Sequence, residues 1–223
     1  VPGQSYWPQV REICDKYGVI LIADEVITGF GRTGRMFGID HWGVNPDVMS
    51  IAKGVVSSYL PLGATLASES IAGAFSGVEG SRFFQHVLTN SGHPVAAAAS
   101  LRNIEIIEEE GLVENSAYMG VYFLERLIEL QDKHRMIGNV SGLGLLLGVD
   151  LVKDLETREI FPVDAGLSDI LTNEFEKRGL ILRAGSSSIS FGPPLCINRD
   201  EIDEIVEATD EVIGEVSRRL AIA

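Results

Sequence analysis

Two acidic residues, Asp24 and Glu25, directly follow the apolar run VILIA, and the glycine-rich loop GFGRTG comes soon after them. Carboxylates at the end of a buried strand can hold a magnesium ion and orient a water molecule, as they do in a Walker B strand. The loop also fits the G-x-G-x-x-G pattern, in which a tight turn and a helix N-terminus bind the pyrophosphate of a dinucleotide. This stretch therefore satisfies the patterns of two different phosphate sites.

Both phosphate sites lack their second half in this sequence. A Walker B strand works beside a loop of the form G-x-x-x-x-G-K-[ST], and no such stretch occurs here. The dinucleotide pattern needs a helix straight after the loop, but MFGIDHWGVNP follows, with its glycines and proline. A strand-end acid that caps a turn, and a plain tight loop, are simpler explanations.

A single lysine, Lys53, follows a second apolar run at residues 48–52. Such a lysine is often an edge residue whose stem packs on apolar atoms. If the two runs form neighbouring parallel strands, Asp24 and Lys53 lie at the same carboxyl-terminal edge, where α/β proteins bind ligands. We expect a buried amine next to a buried carboxylate there, which is a reactive arrangement.

The composition is ordinary for a globular protein and strongly acidic. The 223 residues are 45% hydrophobic and 22% charged, with a formal net charge of -14, which argues against nucleic acid or an anionic membrane as partner. No apolar stretch approaches the ~20 residues that span a bilayer, and no secretory pattern opens the sequence, so we expect a soluble, cytoplasmic protein. Cys14 and Cys196 lie far apart without further ligands nearby, and neither a disulfide framework nor a metal site is predicted.

Hydrophobic spacing predicts an α/β arrangement in the first half of the chain. A helix is expected over 6–17, ended by Gly18, and VILIA indicates a strand that is buried on both faces. Similar runs at 48–52 and 62–67 predict two further strands. The order of strand, helix and strand favours a parallel sheet.

A smaller α+β domain is expected to begin near Gly111, after an alanine-rich helix over 94–110. Asn198 and Glu201 resemble a capping box at the start of a terminal helix. The predicted elements of this domain are a helix over 112–132, a strand over 142–152, a helix over 165–178, short strands at 180–183 and 188–191, and a helix from Asn198 to about Leu220.

Five ordered segments resemble those of one enzyme family. LIADEVITGFGRTG, PDVMSIAKG, YLPLGATLAS, TNSGHPVAAAASL and ISFGPPL are similar to segments of the class III aminotransferases, the ω-aminotransferase group of pyridoxal-phosphate enzymes. They extend from Leu21 to Leu195, which makes the match far more specific than either phosphate pattern. The resemblance implies an α/β fold, the fold-type I of these transferases. It assigns 1–110 to the C-terminal part of the large cofactor-binding domain and 111–223 to the small domain.

The resemblance also implies a role for two residues in the chemistry itself. Lys53 is expected to hold pyridoxal 5'-phosphate as a Schiff base and, once displaced by the substrate amine, to carry a proton between the substrate and the cofactor. Asp24 is expected to pair with the pyridine nitrogen, because an anion keeps that nitrogen protonated. The GFGRTG loop is then structural, with Arg32 bracing acidic neighbours and Glu25 making supporting hydrogen bonds.

Three further residues match binding positions of the family, each with a plainer alternative. Val26 is expected to pack against the cofactor ring, or else only in the core. Thr89 is expected to reach the cofactor phosphate from the neighbouring subunit, or to cap a turn or helix. Arg183 is expected to bind a substrate carboxylate through its planar guanidinium, or to form a surface ion pair.

The activity that the resemblance implies is transfer of an amino group from an amine or ω-amino acid to a 2-oxo acid such as pyruvate, by a ping-pong mechanism in a homodimer whose active site lies at the subunit interface. An aminomutase or decarboxylase of the same family, an ATPase fragment and a non-catalytic paralogue stay open as alternatives. The resemblance covers about the C-terminal half of a typical member, without its phosphate cradle and ring-stacking aromatic residue. We therefore expect a fragment, or a chain that another chain completes.

Overall fold

The computed structural model describes residues 1–75, 82–86 and 88–220. The chain divides into two compact units, Pro2–Val113 and Glu114–Ala223. In the described part of the chain, no helix is both long and apolar enough to cross a membrane.

The first unit contains a three-stranded sheet with helices around it. In chain order its elements are α1 (Tyr6–Tyr17), β1 (Ile22–Asp24), a 3-10 helix at Gly38–Trp42, β2 (Val48–Ile51), a 3-10 turn at Lys53–Val55, β3 (Ala64–Ala67), α2 (Glu69–Gly73) and α3 (Pro94–Glu109). The helices predicted over 6–17 and 94–110 are confirmed, the second with its end one residue earlier.

The strand order of this sheet is β1-β2-β3, and only its first pair is parallel. β3 runs antiparallel to β2, with Ile51 opposite Ala64, so the prediction of a parallel sheet is wrong for the third strand. A parallel return needs a crossover of a dozen or more residues, usually a helix. Residues 52–63 form only a 3-10 turn and a loop, which brings the chain back in the opposite direction.

β1 is covered on one face only. Leu21 packs with Cys14 of α1 and with Ile39 and Val44 in one apolar cluster. Ile22 is 60% exposed, so the expectation of a strand buried on both faces is wrong. Successive side chains of a strand point to opposite faces, and α1 and the 3-10 helix pack on the face of Leu21.

Among its described residues, the second unit has an antiparallel sheet packed with three helices. The elements are α4 (Leu112–Lys133), β4 (Ile137–Leu143), β5 (Leu146–Leu151), a 3-10 turn at Val163–Ala165, α5 (Leu167–Lys177), β6 (Arg183–Ala184), β7 (Ser188–Phe191) and α6 (Arg199–Arg219). The strand order of this sheet is β4-β5-β7-β6.

A tight hairpin joins β4 and β5, where a single strand over 142–152 was predicted. Gly144 makes the turn possible because its φ of 53° lies in the left-handed region. α4 approaches this turn at Gly120, where a Cβ atom would come within 2.2 Å of the Gly144 carbonyl oxygen. The continuous apolar pattern over both strands concealed the turn, since both strands contribute to the same core.

Candidate active site

Asp24 and Lys53 lie at the same edge of the sheet. Asp24 is the last residue of β1 and is the register partner of Ser50 in β2. Lys53 comes three residues after Ser50, and only Ala52 separates it from the end of β2 at Ile51. Because β1 and β2 are parallel, the structure places both residues beyond or at the carboxyl ends of neighbouring strands, which is the usual ligand-binding edge of an α/β sheet.

Both side chains are exposed among the described residues, so the expectation of a buried amine and a buried carboxylate is wrong for this chain. For Asp24 the physical reason is the uncovered face of β1, which carries Ile22 and Asp24, while the buried Leu21 and Ala23 point to the opposite face. The Asp24 carboxylate accepts a hydrogen bond from the Val26 N–H at 3.1 Å through Oδ1. An exposed amine and an exposed carboxylate at one edge are both accessible to a ligand.

Lys53 has an unusual backbone conformation. Its φ is 46°, in the left-handed region that non-glycine residues adopt at a cost of about 1–3 kcal/mol. The 3-10 turn that begins at Lys53 is held from α3, where Asn103 and Ser100 donate hydrogen bonds to backbone carbonyls of the turn. Sequence reasoning missed these two residues, because no spacing rule connects a lysine with a helix about 50 positions later.

Glu25 organises the glycine-rich loop. Its side chain is buried and accepts hydrogen bonds from the N–H groups of Gly38 at 2.8 Å and Ile39 at 2.7 Å, and from the Thr28 hydroxyl. The Gly29 N–H donates to the Glu25 backbone carbonyl at 3.0 Å. The internal carboxylate thus joins Thr28, directly before the glycine-rich loop, to Gly38 and Ile39 after it. The supporting hydrogen bonds expected of Glu25 are present, and sequence reasoning missed only their partners.

Arg32, within the same loop, is half-buried. Burial lowers the pKa of its guanidinium below the ordinary value, although an arginine stays charged at neutral pH. A bracing role toward acidic neighbours stays a prediction.

The three other expected binding residues lie at different places. Val26 is half-buried two residues after Asp24, at the same sheet edge. Thr89 is exposed in a turn of the same unit, in which the Ser91 N–H donates to the Leu88 carbonyl at 3.0 Å, shortly before α3. A cavity of about 390 Å³ lies beside this turn and is lined by residues 61–64, Leu88, residues 90–93, Ala96 and Ala97.

Arg183 belongs to the second unit. It is the first residue of β6, pairs with Ser190 of β7 and is exposed. Within the described residues no carboxylate forms an ion pair with it, unlike Arg178, which binds Glu174, Glu211 and Glu215. The plain alternative of a surface ion pair therefore has no support in the described part of the chain. The structure brings Asp24, Val26 and Lys53 together and leaves Arg183 in a separate unit.

Comparison with protein families gives one match over most of the chain. The model of the family described as aminotransferase class-III matches residues 1–213. The chain is 42% identical over 218 residues to the putrescine–pyruvate aminotransferase of Pseudomonas aeruginosa, covering 97% of this chain and 47% of that enzyme. It is 36% identical over 231 residues to the taurine–pyruvate aminotransferase of Bilophila wadsworthia, covering 100% of this chain and 50% of that enzyme.

Solved structures give the same result. An (S)-enantioselective ω-transaminase from Thermomicrobium roseum superposes with a TM-score of 0.93 and 42% identity, covering 97% of this chain and 48% of that one. An amine transaminase from an uncultivated Pseudomonas species, in its pyridoxal-phosphate-bound form, has a TM-score of 0.92 and 42% identity over 96% of this chain and 49% of that one. The chain spans about half the length of the relatives that it matches.

Proposed function

This chain belongs to the class-III aminotransferase family, and from that premise we propose that it acts in a pyridoxal-phosphate-dependent aminotransferase. The reaction is ping-pong transfer of an amino group from an amine or ω-amino acid to a 2-oxo acid such as pyruvate. The observation that carries the proposal is that an accessible lysine and an accessible aspartate lie at the carboxyl ends of two neighbouring parallel strands. The two relatives named as putrescine–pyruvate and taurine–pyruvate aminotransferases support pyruvate as the acceptor.

The residues at the sheet edge fit the chemistry of the cofactor. Pyridoxal phosphate supplies an aldehyde that captures amines and a ring that withdraws electrons from the bound substrate. The Lys53 amine is the group that would bind the aldehyde and later move a proton at the reacting carbon. The Asp24 carboxylate, held by the Val26 N–H through Oδ1, is the anion that would keep the pyridine nitrogen protonated.

Val26, Thr89 and Arg183 complete the proposed set. Val26 would pack on the ring from the strand end, and Thr89 would bind the phosphate of a second subunit's cofactor. Arg183 would bind a substrate carboxylate bidentately, and its lack of an ion pair within the described residues supports that role. The Thr89 assignment makes a homodimer with an active site at the subunit interface part of the proposal.

The proposal also assigns each part of the chain to a domain of the enzyme. The sheet and helices within residues 1–110 would be the C-terminal part of the large domain of a fold-type I transferase, and residues 111–223 its small domain. The high similarity to solved transaminases supports this. A cytoplasmic location stays a prediction.

The decisive experiment replaces Lys53 by Ala in the full-length protein. We expect the variant to lose the visible absorbance of enzyme-bound pyridoxal phosphate and to transfer amino groups at least about 100-fold more slowly, because the group that binds the aldehyde and moves the proton is gone. The measurement is an absorbance spectrum together with the rate of alanine formation from pyruvate and a panel of amines.

Lys153→Ala is the matched control, since Lys153 is another exposed lysine, paired with Glu159 at 2.7 Å in the second unit. That variant should keep both the absorbance and the activity. Undiminished amine transfer by Lys53→Ala would overturn the proposal.

A further inference from the structure

The backbone at Lys53 is held in a conformation that it would not adopt alone. With a φ of 46°, Lys53 is in the left-handed region, where its Cβ is crowded by the following carbonyl group. Such residues persist only where the surrounding structure fixes them, and they are found frequently at functional sites. The contacts that fix this turn therefore also decide where the Lys53 amine points.

Helix α3 supplies those contacts. Asn103 donates from Nδ2 to the carbonyl oxygens of Gly54 at 2.9 Å and of Val55 at 3.2 Å, and Ser100 donates from Oγ to the Val55 carbonyl at 3.1 Å. These carbonyls belong to the two residues directly after Lys53. Within the turn, the Val56 N–H donates to the Lys53 carbonyl at 3.2 Å.

The glycine-rich loop confines the turn from another side. A Cβ atom on Gly54 would lie 3.0 Å from the Phe30 Cβ and 3.4 Å from the Gly29 carbonyl oxygen. Phe30 is itself in the left-handed region, with a φ of 56°. The turn after Lys53 is thus bounded by the loop on one side and hydrogen-bonded to α3 on the other, and both sets of contacts oppose a change of backbone conformation at Lys53.

We infer that Asn103 is a positioning residue for the Lys53 amine, acting through the carbonyls of Gly54 and Val55. The inference rests on the proposed function, because the amine it orients is the one assigned to bind pyridoxal phosphate. Without the Asn103 amide the turn loses two of its three hydrogen bonds to α3, and the backbone at Lys53 relaxes toward an ordinary φ. The change rotates the Cα–Cβ bond of Lys53 and moves its amine away from the position in which it reacts.

The test is Asn103→Asp in the full-length protein loaded with pyridoxal phosphate. The side chain keeps its shape, but a carboxylate replaces the amide donor and repels both carbonyl oxygens. We expect kcat to fall between about 10- and 100-fold, as for other small displacements of reacting groups, with a smaller change in KM. The fraction of cofactor that borohydride fixes to Lys53, measured by mass spectrometry, should fall as well, and the pH midpoint of the visible absorbance should shift.

The matched control is Asn115→Asp in the second unit. Asn115 also donates from Nδ2 to two backbone carbonyls, those of Leu195 at 2.6 Å and Ile197 at 3.0 Å. Loss of the Asn115 amide donor should lower the melting temperature, while the spectrum, the borohydride-fixed fraction and kcat stay at wild-type values. If Asn103→Asp does not fold, Ser100→Ala takes its place. This variant removes one of the three α3 bonds with little change of shape, and it should change the same readouts in the same direction by a smaller amount.

The outcomes separate the two claims. Wild-type protein that forms no borohydride-stable link at Lys53 would overturn the proposed function, and this role with it. Wild-type protein that forms the link, while Asn103→Asp and Ser100→Ala give the spectrum and kcat of Asn115→Asp, would overturn the positioning role alone.

Discussion

At the scale of single residues, Glu25 is a buried carboxylate whose side chain is hydrogen-bonded to the first residues of the 3-10 helix at Gly38–Trp42. Its oxygens accept from the backbone N–H groups of Gly38 and Ile39, and its own N–H donates to the Ser50 carbonyl at 2.9 Å. Glu25 directly follows Asp24 in the chain. These bonds therefore fix the backbone on which the Asp24 carboxylate is carried.

Replacing Glu25 by Gln tests that support. An amide turns an NH2 group toward one of the two backbone donors, and leaving a buried N–H without an acceptor costs about 1–3 kcal/mol. We expect a lower melting temperature for the full-length protein. If the substitution costs the cofactor-bound form about 1.4 kcal/mol more than the cofactor-free form, the affinity for pyridoxal phosphate weakens by about tenfold. A fluorescence titration with the cofactor measures the change.

Glu174→Gln is the control for this substitution. Glu174 is also a buried glutamate, but in α5 of the second unit, where it accepts from Lys177 at 2.6 Å and Arg178 at 3.2 Å. This variant should lose stability and keep wild-type cofactor affinity. Equal losses of affinity in the two variants would mean that Glu25 has only a general structural role.

Sequence reasoning found the residues whose position follows from the strands, and missed those that depend on tertiary contacts. Asp24 and Lys53 each follow an apolar run, so a parallel pairing was enough to predict a common sheet edge. Glu25 was expected to make supporting bonds, but its partners are backbone groups 13 and 14 residues later, which no side-chain pattern reveals. Asn103 is a polar residue on an amphipathic helix, and its sequence context does not separate it from a solvated one.

At the scale of elements, Asp47 joins α1 and β1. Its Oδ2 accepts hydrogen bonds from the Leu21 N–H and from the Arg11 guanidinium, both at 2.8 Å, while its backbone carbonyl accepts from the Ser68 N–H at 2.8 Å. The bond from the Leu21 N–H, followed by that from Arg11, lowers the pKa of the Asp47 carboxyl. The carboxylate of Asp47 thus holds the start of a strand and a helix, and its backbone carbonyl holds the end of β3.

Asp47→Asn should destabilise the first unit at neutral pH, but not in strong acid. A carboxyl with a lowered folded pKa stabilises the fold above its unfolded pKa, about 3.9, and that stability is lost as the pH falls through the folded value. The difference in unfolding free energy between wild type and variant should therefore shrink below about pH 4. Urea titrations at several pH values measure this difference, with the fluorescence of Trp7 and Trp42 as the signal. Both rings report on this region because they pack against the apolar cluster around Cys14.

The control for the pH dependence is Asp132→Asn, which changes an exposed aspartate near the end of α4. Its unfolding free energy should follow that of the wild type at every pH. A gap between wild type and Asp47→Asn that stayed constant down to about pH 3 would exclude ionisation of Asp47 as the origin of the effect.

The helices were predicted more accurately than the strands, for a local reason. α6 begins where its capping box indicated, with the Glu201 N–H donating to Asn198 Oδ1 at 3.0 Å, because such signals lie within a few residues of the helix end. The direction of β3 and the hairpin between β4 and β5 depend on how the chain returns. Neither an apolar run nor its length specifies that direction.

At the scale of the whole molecule, apolar burial differs between the two units. The second unit has one continuous core, in which Phe123 and Phe175 are fully buried between the helices and the sheet. The first unit has two smaller clusters around Cys14 and Phe30. Several large apolar side chains of its β1 region are exposed instead, namely Val19, Ile20, Ile22 and Ile27.

Because of this exposed apolar region, we predict that the 223-residue chain self-associates when it is produced by itself. β1 lies at the end of the described strand order, so its outer backbone groups are open to pairing with another strand, and exposed apolar edges of this kind promote self-association. Ile22→Lys places a charge on the exposed face. We expect less self-association in analytical ultracentrifugation and less light scattering on heating, with the unfolding free energy within about 0.5 kcal/mol of wild type, as for other surface changes.

Leu21→Lys is the informative comparison, because the neighbouring side chain points to the opposite, covered face. A charge there is buried without a partner and should unfold the first unit, since an unpaired buried charge costs several kcal/mol. The two variants change adjacent residues at the start of β1, Leu21 directly before it and Ile22 its first residue, so their contrast measures which face is covered there. If Ile22→Lys destabilised the chain as strongly as Leu21→Lys, the face that carries Asp24 would be packed in solution, and the accessibility of Asp24 to a ligand would have to come from movement of that packing.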